Sequence, residues 1–353
     1  MRVIQILTLA AIITWTIQAI GQELPTNYQS FSHATPKEIV TPNYPKAEQS
    51  KLGEGWVDIS FVVSDTGEVM DPVVVDSSGS AYFETAAIAA IKKTEFNPAL
   101  ENGFPIQQCK NSFRYRFMMA NAPKGASRKF VRTYKKAFKA LQSNDIELAE
   151  TLIQELYSKG VRNNYEDAYY WFIKSLLAAA KSEYRDQLAY LSRALANNDL
   201  YLPEGIYQPA LITSFQLQNY YAKYSDALES YEKLQKKVPE NEISEQIRQA
   251  SSRINEIVNS DVPLQFTDSF SASRLTVANL YRPQFSITLD EGNIDTIEIR
   301  CDKQYRRFDF ADNMVYEVPR NWGNCKLHLA GDEGTQFSLL QLTAFKDSSV
   351  QTH

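Results

Sequence analysis

Apolar and polar positions first alternate between residues 56 and 63. Val57, Ile59, Phe61 and Val63 point one way, and Trp56, Asp58 and Ser60 the other, which predicts a strand with one buried face. Asp65, Thr66 and Gly67 supply a turn, and Val69, Val73 and Val75 continue into a second strand. Joined this tightly, the two strands must form an antiparallel hairpin, with Pro72 at an edge or at a position that needs no donor. The period then changes. Phe83, Ala87, Ala90, Ile91 and Thr94 fall at helical spacing behind Ser80, a candidate N-cap. Phe113, Tyr115, Phe117 and Met119 alternate with Arg114 and Arg116 in a last strand. Strand, strand, helix, strand in about 80 residues predicts a small α+β domain over residues 42–120.

From residue 127 to 258 the period is 3.6, which predicts an all-α region. Tyr184 to Leu188 aligns with Tyr224 to Leu228, and Ile146 to Glu150 matches both more loosely. The residue pattern resembles a degenerate tetratricopeptide repeat, at a spacing longer than the usual ~34 residues, which implies stacked antiparallel helix pairs; a plain helical bundle is the alternative. The abundant aromatics here are expected in the core. Residues 262–347 return to short alternating runs separated by turn signals, and predict an all-β, sandwich-like domain. A phase slip is expected between Ile294 and Ile297. The chain is thus multidomain.

Composition changes the picture at four places. Arg2, an apolar run over residues 3–20, and Ala19 and Gly21 before Gln22 read as a signal peptide over residues 1–21, with an uncleaved anchor as the alternative. Residues 22–41, polar with scattered Pro, read as a linker. Export permits disulfides. Cys109, Cys301 and Cys325 allow three single pairings, of which Cys301 with Cys325 is favoured because both lie in one small β-rich region; Cys109 is then a buried, inert thiol. Finally, a net charge of −5 over the chain, with 7 Lys/Arg against 10 Asp/Glu in residues 42–119, gives no nucleic-acid footprint.

An ordered set of motifs runs through the α+β domain. Pro42, Tyr44, Pro45 and Ala47 come first, then Gly53, Gly55 and the first strand, and Gly67 in the turn. Ser77, Ser78 and Gly79 precede Phe83 and an Ala-rich helix. Lys92 and Lys93 lead to Phe96, Asn97 and Pro98, and Gly103, Phe104 and Pro105 precede the last strand. In this order the segment resembles the carboxy-terminal domain of the TonB family. The resemblance implies recognition of a partner segment by strand addition, at the strand that carries Ser112, Phe113, Arg114, Tyr115, Arg116 and Phe117. Arg114 and Arg116 are candidates for meeting an acidic partner. The implied partners are protein or peptide segments of the cell envelope, outer-membrane receptors among them, with no nucleic acid and no small-molecule cofactor. The sequence departs from the family at Thr94, where Trp is frequent. Residues 1–21 also lack the His that family energy transducers place in a membrane helix. The expectation is therefore an exported periplasmic binding protein linked to receptor-dependent transport. A membrane-anchored transducer and a structural envelope scaffold are the alternatives.

No catalytic or metal constellation is recognised. His33, His328 and His353 lie outside any nucleophile, metal or phosphate motif. Cys325 and His328 have a ligand-like gap, but strand geometry points them to opposite faces. The chain is expected not to be an enzyme.

Overall fold

The computed structural model describes residues 31–343, apart from 52, 120–124, 159–160, 162, 240–242 and 271–273. The signal segment and residues 22–30 of the expected linker lie outside the described residues. The rest of that linker is folded. Strand β1 (Phe31–Ser32) pairs with β6 (Ala99–Glu101), and β2 (Thr35–Glu38) pairs with β5 (Glu95–Asn97). Between them His33 Nδ1 lies 2.8 Å from Gln108 Nε2, and the Ala34 amide donates to Gln108 Oε1 at 2.6 Å. Polar composition hid these strands because they serve to satisfy the backbone groups of β5 and β6, not to bury an apolar face.

A four-residue helix α1 (Lys46–Gln49) leads into β3 (Gly55–Val63), the centre of a three-stranded antiparallel sheet in the order β4 (Val69–Ser77), β3, β8 (Gln108–Phe117). The hairpin turn depends on Gly67. Its φ is +90°, and an added Cβ would lie 2.0 Å from the Phe96 carbonyl oxygen. Pro72 falls where the β3–β4 ladder skips from Val73 to Met70, so its missing N–H costs no ladder bond. Helix α2 (Ala81–Ile91) begins at Ser80, whose Oγ accepts from the Phe83 amide. It lays Phe83, Ala87, Ala90 and Ile91 on Val57, Ile59, Phe61, Tyr115 and Phe117. β7 (Phe104–Ile106) pairs with β6.

Among the described residues seven α-helices follow: α3 (Arg128–Gln142), α4 (Ile146–Ser158), α5 (Asn164–Ala180), α6 (Tyr184–Ala194), α7 (Glu204–Tyr220), α8 (Tyr224–Lys237) and α9 (Glu245–Asn259). Three inter-helix turns share one geometry. Asn144, Ser182 and Ala222 take left-handed φ values of 58°, 61° and 55°. The next amide in each case bonds the carbonyl five residues back: Asp145 to Ala140, Glu183 to Ala178, Lys223 to Gln218. Each turn folds α3 on α4, α5 on α6 and α7 on α8, and Ile146, Tyr184 and Tyr224 all open the second helix of a pair. The positions aligned in the sequence are equivalent in the structure.

The last region holds two four-stranded antiparallel sheets. One runs β14 (Val315–Glu317), β11 (Gln284–Glu291), β16 (Gln336–Leu342), β9 (Leu264–Ser269). The other runs β10 (Leu275–Leu280), β15 (Cys325–Gly331), β12 (Ile294–Cys301), β13 (Tyr305–Asp309). Phe285, Ile287, Phe337 and Leu339 of the first share a core with Ile297, Ile299, Leu327 and Leu329 of the second. The expected phase slip is a bulge between Ile294 and Thr296. Cys301 and Cys325 form a disulfide at directly opposed positions of β12 and β15, with a Cα separation of 3.9 Å. Arg282 joins this region to the helices, donating to the carbonyls of Ile257 and Val258 at the end of α9.

Candidate functional site

β8 is an edge strand, and among the described residues no strand pairs with its outer side. Its two faces differ. Phe113, Tyr115 and Phe117 join the core beneath α2, whereas Ser112 and Arg116 are exposed. The motif residues turn out to build this strand's support. The Tyr44 ring meets Phe83 and Phe117 edge-on at 5.7 and 5.9 Å, and its hydroxyl donates to the Gly53 carbonyl. Burial, reinforced by Glu54 and Glu48, pushes that hydroxyl up to about 12. Pro45 stands at the N-cap of α1, whose second residue is Ala47, and Pro42 lies three residues ahead of it. Phe83 stacks on Phe117 at 4.2 Å, and Phe96 packs on Phe61 at 5.3 Å. Pro98 separates β5 from β6. Gly55 has no room for a side chain, since a Cβ would lie 2.2 Å from Ser78 Oγ. Thr94 is buried, accepts from the Val40 amide and donates to the Ala90 carbonyl, both at 3.2 Å; the departure from the family thereby ties down the chain entering the domain.

Both arginines of β8 have partners within the chain. Arg114 forks onto the carboxylate of Asp58, directly opposite on β3, and lies 4.5 Å over the Trp56 ring. Arg116 Nε donates to Asn197 Oδ1 at 3.0 Å, beyond the end of α6. An acidic partner would have to displace these contacts.

The face of the sheet opposite α2 is covered over β3 and β4 by the rest of the molecule, while Ser112 and Arg116 of β8 stay exposed. Trp56, fully buried, donates through Nε1 to Asp167 Oδ2 at 3.4 Å. Trp171 Nε1 donates to Asp167 Oδ1 at 2.9 Å. Burial raises the Asp167 carboxyl to about 6, against the two indole hydrogen bonds and Arg193, which favour the anion. Arg193 stacks over Trp171 at 4.6 Å and reaches Asp76 at 3.4 Å. Glu54 accepts from the amides of Met119 at 3.2 Å and Asn164 at 3.3 Å. From the C-terminal region, Arg300 donates to Ser60 Oγ at 3.4 Å and to the Asp71 carbonyl at 3.1 Å, and Lys303 pairs with Glu101. Sequence reasoning missed Asp167, Arg193 and Arg300, each a single charge on an unremarkable element. A Trp on the polar face of β3 was the one available signal.

The remaining candidates are quickly placed. Cys109 is buried, and burial pushes its thiol up to about 12. Cys325 is held in the disulfide. His328 is buried, and that burial, with Arg300 and Lys326 nearby, pulls its ring down to about 3. Among the described residues no helix is long and apolar enough to cross a membrane.

The features assembled so far define a small α/β module: a three-stranded sheet, one helix across one face, and a last strand left at the edge. Residues 40–118 match the family model described as Gram-negative bacterial TonB protein C-terminal, so the module is similar to a TonB C-terminal domain. The helical and C-terminal regions lie outside that match. Among solved structures, the TonB C-terminal domain of Pseudomonas aeruginosa is similar at 23% identity, over 26% of this chain and 92% of its own, with a TM-score of 0.22. The TonB2 protein of Vibrio anguillarum is similar at 27% identity, over 32% of this chain and 98% of its own, with a TM-score of 0.21. No curated protein matches the chain.

Proposed function

We propose that this chain is an exported binding protein of the periplasm, not an enzyme, whose TonB-like domain takes an extended partner segment onto the outer edge of β8. The partner belongs to the cell envelope, and the family's link to outer-membrane receptor-dependent transport makes a receptor segment the leading occupant. In this reading the helix pairs are a tetratricopeptide-like stack, and the two sheets a sandwich, that hold the domain in place. The observation that carries the proposal is the position of β8, the last strand of the matched domain and the edge of its sheet. Recognition would run through backbone groups, with Ser112, Arg116 and Met118 beside the incoming segment.

A second reading, a structural scaffold, is favoured by one observation: the opposite face of the sheet and both β8 arginines are already engaged within the chain. A photo-crosslinking residue placed at Ser112 or Met118 in cells separates the two. Strand addition predicts adducts on one partner segment, at alternate residues, and none from Tyr82, which is exposed on α2. Adducts only within the chain favour the scaffold.

A further inference from the structure

Helix α3 carries Arg128, Lys129, Arg132, Lys135, Lys136 and Lys139 and no acidic residue. At ~3.6 residues per turn the six fall within an arc of about 120°, and the stripe they form runs ~16 Å along the helix. All six are exposed, and the opposite face buries Phe130, Thr133, Ala137 and Ala140. Among the described residues none of the six has an ion-pair partner, although the chain is acidic. Without them it has 31 Lys and Arg against 42 Asp and Glu. The arrangement is costly to the helix. Like charges sit four residues apart at Arg128 and Arg132, at Arg132 and Lys136, and at Lys135 and Lys139, and two cations occupy the first turn, where the helix dipole opposes them. A surface depression lies on the same face, lined by Ala126, Arg128, Val131, Arg132, Lys135 and Lys136.

We propose that this face of α3 docks the protein on the phosphate headgroups of an anionic lipid leaflet. The apolar side of α3 is committed to the core, so attachment is electrostatic and peripheral, without insertion. A row of cations on a convex helix suits a planar array of phosphates, which imposes no register or shape. A nucleic acid would call for aromatic side chains among the cations, and the exposed neighbours here are Ser127 and Val131. The acidic remainder of the chain is repelled by the same leaflet, which orients α3 towards it. This proposal is independent of strand addition at β8.

The test is co-sedimentation of the full chain with vesicles of phosphatidylcholine alone, or with a quarter phosphatidylglycerol, at low and high salt. The apolar run over residues 3–20 contributes alike to both compositions, so the readout is the difference between them. Binding is expected to favour the anionic vesicles at low salt and to fall at high salt. Each cation strengthens it about fivefold, so the triple variant Arg132→Gln/Lys135→Gln/Lys136→Gln should lose roughly a hundredfold of that preference. The variant removes like-charge repulsion, so its melting temperature should equal or exceed that of the parent. Equal binding to both vesicles, an unchanged preference in the triple variant, or tighter retention on immobilised poly-glutamate than on anionic vesicles would overturn the proposal; the last would name an acidic protein instead.

Discussion

The carboxylate of Asp167 accepts both indole N–H groups that meet between the TonB-like domain and the helices, and it does so in a buried position. Burial makes the anion costly, so the folded chain holds a proton up to about pH 6 that an unfolded chain, with an ordinary value near 3.8, has already released. The sign follows: stability falls as pH rises through that window and is level above it, by roughly 3 kcal/mol in all. Asp167→Asn has no proton to lose. Thermal melts of the two proteins should show the variant gaining on the parent as pH rises from 4 to 7, and a pH-independent difference would disprove the raised value. At this scale the sequence was legible where chemistry is local. Gly67 follows from its turn and Ser80 from its cap, whereas Asp167 is distinguished only by two tryptophans brought together from residues 56 and 171.

Elements were legible in proportion to their length. β3, β4, α2 and β8 each show several periods of their pattern and form where periodicity puts them, although α2 ends at Ile91, before Thr94, and β8 begins at Gln108 and ends at Phe117, before Met119. β1, β2, β5, β6 and β7 run two to four residues, too short for any period, and exist because their backbones pair. β8 lies at the edge of its sheet, and the role of its arginines depends on what lies across the ladder. Asp58 stands opposite Arg114, and the pair is three-quarters buried. Arg114→Ala should therefore lower the urea midpoint by an amount equivalent to about 2 kcal/mol, because it leaves a largely buried carboxylate unpaired. Asp58→Asn in the same chain should recover part of that loss. Should Arg114→Ala leave stability unchanged while abolishing crosslinks from Ser112, the side chain is a partner contact after all.

Charged contacts are among those that link the three regions, and Arg300 is the most buried of the charged groups that make them. It is 1% exposed, and its guanidinium serves two sets of partners. Within its own sheet it pairs with Glu298 at 2.7 Å; across the boundary it reaches Ser60 and the Asp71 carbonyl. Arg300→Leu should cost about 3–5 kcal/mol, the usual penalty for stranding one member of a buried pair. That loss alone does not say which set of contacts matters, so a second variant is needed. Arg300→Leu/Glu298→Leu removes the stranded carboxylate and should restore the C-terminal sheets, but it cannot restore a donor to Ser60 or Asp71. Hydrogen exchange separates the outcomes. In the single variant, amides of both β12 and β4 should exchange faster. In the double variant β12 should return to parental protection, while residues 70–73 of β4 stay fast. Recovery of both segments would mean that Arg300 supports only its own sheet, and that the TonB-like domain is held by the Asp167 and Arg193 contacts instead.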